Sequence, residues 1–332
     1  MKAAAHKQKE FKMNNAIIHR FSKLISEDKY EAALSYLNSC ECRKTDYKTL
    51  NNIGWLQLQL YDDIYSKYYK NEDLLRTATD SLKSAYNINS GSLYVLYNLG
   101  CAYFTACEYE KSADAFSDYL KINMNLDIVN KICVLYEKQH ETEKIEKLLT
   151  SKEVQTLIEN KNEYFEITMY NLILILCQTG NAVKAHELAQ LLYEKVRTGE
   201  ADIQNIDLLD VVSLFFFMND YKKVIEIFPL TSYIYSEKYY GIFLASAMHE
   251  RKNIEQIHKI ILTELDNEIK DILSNNDITD KDNLIAETAQ RKSAFENAYN
   301  DVKQGNFSFE PEFKASSYNS CIFTAQTQQE RG

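Results

Sequence analysis

Glycine and proline are scarce in this sequence, with 8 and 2 among 332 residues. Sandwiches, barrels and nucleotide-binding sheets use many of both in their turns, so the shortage points to long helices joined by short connections. Long apolar runs are missing too. The best of them, Leu172–Cys177 and Val211–Met218, fall well short of the roughly 18–20 residues of a membrane helix and suit buried helix faces. The N-terminus carries no apolar signal core, so no membrane and a cytoplasmic setting are expected. The seven cysteines are odd in number and scattered, which fits a reducing compartment better than a disulfide framework. Positive charge is not in excess either. The formal charge is −10, a balance that argues against nucleic acid as the main partner.

Chemistry-bearing motifs are absent as well. There is no Gly-x-x-x-x-Gly-Lys phosphate loop and no Gly-x-Ser-x-Gly elbow. The six histidines are dispersed, and His249 and His258 fall on different expected helices. Cys40-Glu-Cys42 has no second pair to complete a zinc site. The expectation is a non-enzyme with no catalytic residue, cofactor or metal.

What is present is enough apolar material to fold, 45% of the chain, distributed in a repeating way. An acidic or small turn residue, then charged residues, then a small or branched residue opening an apolar helix recurs along the chain. It occurs at Asp28–Ala33, Glu108–Ser112, Gly180–Ala185 and Asp220–Val224, and more faintly at Asn253–Ile257. In Leu93–Leu126, Leu96, Leu99, Gly100 and Tyr103 lie on one face of a helix, and Ser112, Phe116 and Tyr119 on one face of the next. Two antiparallel helices with a tight turn near Ala106–Tyr109 follow.

This stretch resembles the tetratricopeptide repeat, a helix-turn-helix of about 34 residues with small side chains where its two helices cross. Gly100 and Ser112 occupy the small slots, and Leu96, Leu99, Tyr103 and Phe116 the large ones. The preceding repeat matches through Gly54, Ala78, Leu82 and Ala85, with twelve extra residues within Tyr61–Asp73. Weaker copies lie around Asn171 and Ala185, around Val212 to Phe228, and around Ala245 to Ile261, and residues 127–149 sit where a repeat belongs. The resemblance implies an all-α fold: a right-handed α-solenoid of stacked antiparallel helix pairs, about six to seven hairpins with a C-terminal capping helix. The expected organisation is a basic arm over 1–13, the helical-repeat solenoid over 14–265, an acidic segment and capping helix over 266–304, and a mobile tail over 305–332. That tail holds Pro311 and the isolated aromatics Phe307, Phe309, Phe313 and Phe323. A recognition segment, or a tail that docks into its own groove when no partner is present, are the alternatives.

In the resembling family the first helices of successive repeats line a groove. Carried over position by position, that implies Asn52 and Trp55 in one repeat, Tyr94, Tyr97, Asn98 and Phe104 in the next, and Tyr170, Asn171 and Leu174 further on. The recurring amides Asn52, Asn98 and Asn171 could form a ladder for an extended peptide backbone, or bond helix to helix. The cations that grip a chaperone's terminal carboxylate are not there: Asn51, Trp55, Ile128 and Ile132 stand in those places. The resemblance therefore implies a protein-protein interaction scaffold or adaptor holding another protein or peptide. A peptide-responsive regulator acting on nucleic acid or a transcription or defence partner, and a non-catalytic helical subunit of an enzyme complex, are the other readings.

Overall fold

The computed structural model of the chain describes residues 15–62, 72–231, 236–275 and 278–315. The expected basic arm and the tail beyond Ala315 lie outside these residues. Among those described there are sixteen α-helices and no strands. The chain divides into two compact units, the first reaching Thr156 and the second spanning Leu157–Lys314.

The first unit holds four hairpins: α1 (Asn15–Ser26) with α2 (Tyr30–Ser39), α3 (Tyr47–Asp62) with α4 (Glu72–Ile88), α5 (Leu93–Thr105) with α6 (Tyr109–Ile122), and α7 (Leu126–Lys138) with α8 (Thr142–Leu149). Each helix packs on the one before and the one after, and α3 also touches α5. That is serial stacking rather than closure around one core. Glycine is needed where the two helices of a hairpin cross. A Cβ on Gly100 would lie 2.6 Å from the Phe116 ring, and one on Gly54 would lie 2.6 Å from Leu82 Cγ. Ser112 Oγ donates to the Gly100 carbonyl at 2.7 Å, closing the same crossing.

The division between the units falls within α9 (Lys152–Glu159). The second unit continues with α10 (Phe165–Gln178) and α11 (Ala182–Thr198), then α12 (Leu208–Phe217) and α13 (Tyr221–Ile227), then α14 (Glu237–His249), α15 (Ile254–Ser274) and α16 (Lys281–Gln304). The first helices touch in series, α10 on α12 and α12 on α14. At the end the plan changes. α16 packs on both α14 and α15, while α14 and α15 touch little. The expected boundary at 265/266 falls inside the unbroken α15, because its buried face continues from Leu265 to Ile272. Two acids beyond that boundary face α16, where Asp266 pairs with Lys292 and Glu268 with Arg291, each at 2.8 Å.

Six hairpin turns share one backbone device. Asp28, Cys107, His140, Gly180, Asn219 and Arg251 each have positive φ, between 53° and 83°. The N–H of the following residue reaches back to a carbonyl five positions earlier: Lys29 to Leu24, Glu108 to Tyr103, Glu141 to Tyr136, Asn181 to Leu176, Asp220 to Phe215, Lys252 to Ala247. This is the left-handed cap that satisfies the last carbonyls of a helix and reverses the chain.

Candidate functional site

In the first unit the amide row is an internal contact. Asn51, Asn52 and Asn98 are all fully buried. Asn98 Nδ2 donates to Asn51 Oδ1 at 2.9 Å, and Asn51 Nδ2 donates to Asn52 Oδ1 at 3.3 Å. These amides bond α5 to α3. Trp55, expected in the groove, is buried and stands edge-on to Phe21 and Tyr30, with ring centroids 6.3 and 6.0 Å away. Phe21 of α1 and Tyr30 of α2 cover that part of α3. Tyr94, Tyr97 and Phe104 remain half-exposed. Tyr97 stands edge-on to Phe116 at 6.0 Å with Lys131 Nζ 5.8 Å from its ring, and Phe104 tilts against Tyr109 at 5.8 Å.

The second unit is arranged differently, because something lies on its first helices. After α16 the chain reverses at Gly305, a left-handed residue with φ 75°, and residues 306–314 run without helix or turn. This differs from the expected mobile tail. Side chains alternate along an extended chain, and here Phe307, Phe309, Pro311 and Phe313 are covered to some degree while Asn306, Ser308, Glu310 and Glu312 are exposed. Phe313 is 7% exposed.

Four seats receive the segment. Phe307 lies on the bare backbone of Gly241 in α14, where a Cβ would come within 2.1 Å of its ring. Phe216, near the end of α12, stands edge-on to both Phe307 and Phe309, each at 6.1 Å. Lys238 Nζ sits 4.6 Å from the Phe309 ring. On α10, Asn171 grips the main chain at both of its atoms: its Nδ2 donates to the Lys314 carbonyl at 2.6 Å, and the Lys314 N–H donates to its Oδ1 at 2.8 Å. The Lys314 ammonium pairs with Asp210 and lies 5.3 Å from the Tyr170 ring.

The electrostatics follow from burial. Asp210 belongs to the capping box that starts α12: its Oδ2 accepts from Asp207 N at 3.2 Å, and its own N–H donates to Asp207 Oδ1 at 2.9 Å. Burial pushes its carboxyl above the usual aspartate range, and the Lys314 ammonium pulls it back part of the way. Tyr239 is pushed up to about 12 by burial and then by the Asp210 charge, and Tyr170 is raised for the same two reasons. Tyr170 and Leu174, both expected at this surface, are 3% and 1% exposed.

Asp210, Phe216, Lys238 and Gly241 were not among the expected groove residues. Asp207-x-x-Asp210 was readable as a helix start, and the aromatics at 307, 309 and 313 as a period of two. Little here resembles catalytic machinery. Burial raises the thiols of Cys40, Cys133 and Cys177, the last to about 11, the reverse of an activated thiolate. Among the described residues no group of three His, Cys, Asp or Glu side chains is placed to hold a metal, and no helix is long and apolar enough to cross a membrane.

No protein-family model matches the chain, and no curated protein matches it in sequence. Solved structures to which it is similar are tetratricopeptide-repeat proteins and their like. One from Parabacteroides merdae is 13% identical, with 82% of this chain and 98% of that one covered and a TM-score of 0.49. YrrB, a tetratricopeptide-repeat protein with an unusual peptide-binding site, is 17% identical over 64% of this chain and 94% of its own, at 0.41. MamA is 17% identical over 54% of this chain and 96% of its own, at 0.44. Each unit of the chain is all-α among the described residues and built of helix pairs, and the chain's particular task has to be read from its own side chains.

Proposed function

We propose that the chain is an interaction scaffold whose second unit binds an extended peptide across α10, α12 and α14. The observation that carries this reading is the two-point hold of Asn171 on the Lys314 backbone. A side-chain amide that matches one donor and one acceptor of a main chain recognises extended backbone whatever its side chains are. The flanking seats then choose among side chains, as alternate-residue pockets do in other extended-peptide sites. Each of the hydrogen bonds is worth about 0.5–1.5 kcal/mol net, so the hold fixes register more than it supplies affinity.

The test is a random-peptide display screen against a full-length Phe307→Ser/Phe309→Ser variant, whose own segment is weakened. Binders lost on adding Asn171→Leu support the reading. A screen that yields none dependent on Asn171 refutes it.

A further inference from the structure

Residues 306–314 lie against α10, α12 and α14 of the second unit. Resting on the peptide-binding reading above, we infer that this segment is a resident ligand, and that the external partner is a peptide carrying the same pattern: aromatic, any residue, aromatic, any residue, proline, any residue, aromatic, lysine.

The first two aromatics and the lysine have named seats, while the proline and the third ring are placed by backbone preference and burial. The first aromatic needs a flat ring, because Gly241 offers bare backbone and a Cβ there would collide with anything lying flat on it. The second ring is held by the Phe216 edge and the Lys238 ammonium, an aromatic and a cation-π contact together. Proline in third place favours extended backbone, and so does its effect on the residue before it. The third ring enters the most covered position. Lysine last supplies the cation for Asp210, a carboxylate whose other oxygen is already engaged at the start of α12. The positions between face solvent, which leaves them free to vary.

The segment is attached in the manner of an exchangeable ligand. It leaves α16 at the Gly305 cap, forms no helix or strand, and is held at separated side-chain seats. Three of its four inward residues remain half-exposed. A short tether holds it at an effective concentration on the order of 1 mM. A peptide with an intrinsic dissociation constant of about 10 μM would therefore bind the unaltered chain about 100-fold more weakly than a chain whose segment is disabled.

The probe is a fluorescein-labelled synthetic peptide with the sequence Gly305–Ala315, titrated by anisotropy into the full-length chain, the Phe307→Ser/Phe309→Ser variant, and Lys314→Ala as a second opening variant that changes no residue of α10, α12 or α14. Thermal melts confirm that each is folded. The expected result is tight binding to either opened variant, binding at least tenfold weaker to the parent, loss on adding Asn171→Leu or Asp210→Asn, and no binding of a scrambled peptide. Equal binding to parent and opened variants overturns the resident-ligand role. If the opened variants bind display-selected peptides through Asn171 but not this probe, the pattern is wrong while the peptide-binding reading stands. If they bind neither, both fall, and the segment is a structural strap.

Discussion

Gly241→Ala separates the docking of the C-terminal segment from the stability of the helices beneath it. Alanine inside a helix is favoured over glycine by about 1 kcal/mol, so α14 should gain. The new methyl, however, would stand 2.1, 2.5 and 2.7 Å from three carbons of the Phe307 ring. No rotation of a methyl relieves that, so the ring must leave. Full burial of a phenylalanine is worth about 1.5–3 kcal/mol. Phe307 is half-buried, so its departure removes about 1–1.5 kcal/mol from the docking of the segment. Amide exchange at Lys314, whose N–H is held by Asn171, should then quicken about 5- to 10-fold, while the melting temperature stays level or rises. Hydrogen-exchange mass spectrometry on the 305–315 fragment, beside a thermal melt, reads both. Adding Phe307→Ala to Gly241→Ala should change exchange little further, since the two act on one contact. Unchanged Lys314 exchange in a well-folded Gly241→Ala protein would refute the seat, and a large fall in melting temperature would show that the ring belongs to the core.

Three other outcomes follow from the geometry. Phe116→Ala, at a ring only 2% exposed, should cost about 3–5 kcal/mol, and Gly100→Ala about 1–3 kcal/mol by overpacking against that ring; denaturant melts of the two variants check the crossing. Asp210 has a folded pKa above its ordinary 3.8, so its contribution is fully present below 3.8 and is lost as pH rises through the folded value. The stability of Asp210→Asn relative to the parent should therefore improve as pH is raised through that window, and a relative stability that falls instead would reverse the assigned direction. His140→Gly should stabilise the first unit by about 0.5–1 kcal/mol, because a left-handed residue with a side chain is replaced by one without; a melt that falls instead would show that the imidazole contributes something the turn needs.

The helix pairs were legible because spacing alone sets them. Leu96, Leu99, Gly100 and Tyr103 can share a face only on a helix, and Gly54 and Gly100 are small because Leu82 and Phe116 press on them. The site was harder to read. Periodicity places Asn98 and Asn171 at equivalent points of their helices, but it does not say what covers them. Asn98 meets Asn51 on a neighbouring helix, while Asn171 meets a backbone 143 positions away in sequence. Trp55 is an instance of the same thing, since Phe21 of α1 and Tyr30 of α2 lie against it. The segment itself was visible as aromatics at alternate positions, but a period of two is a strand signal only where there is a surface to face, and that surface comes from α10, α12 and α14. The shift of packing from α15 to α16 at the end of the second unit had no local signature.

The six left-handed turns bear on how such a chain can change. Aspartate, cysteine, histidine, glycine, asparagine and arginine all occupy the same dihedral well, and the reversal is completed by main-chain atoms that every residue except proline possesses. Substitution at these corners therefore keeps the reversal at a cost of about 0.5–1 kcal/mol where glycine gives way to a larger residue, and leaves little common pattern in the letters. A lineage of such chains could lose its textual likeness almost entirely while every hairpin still folds back at the same place.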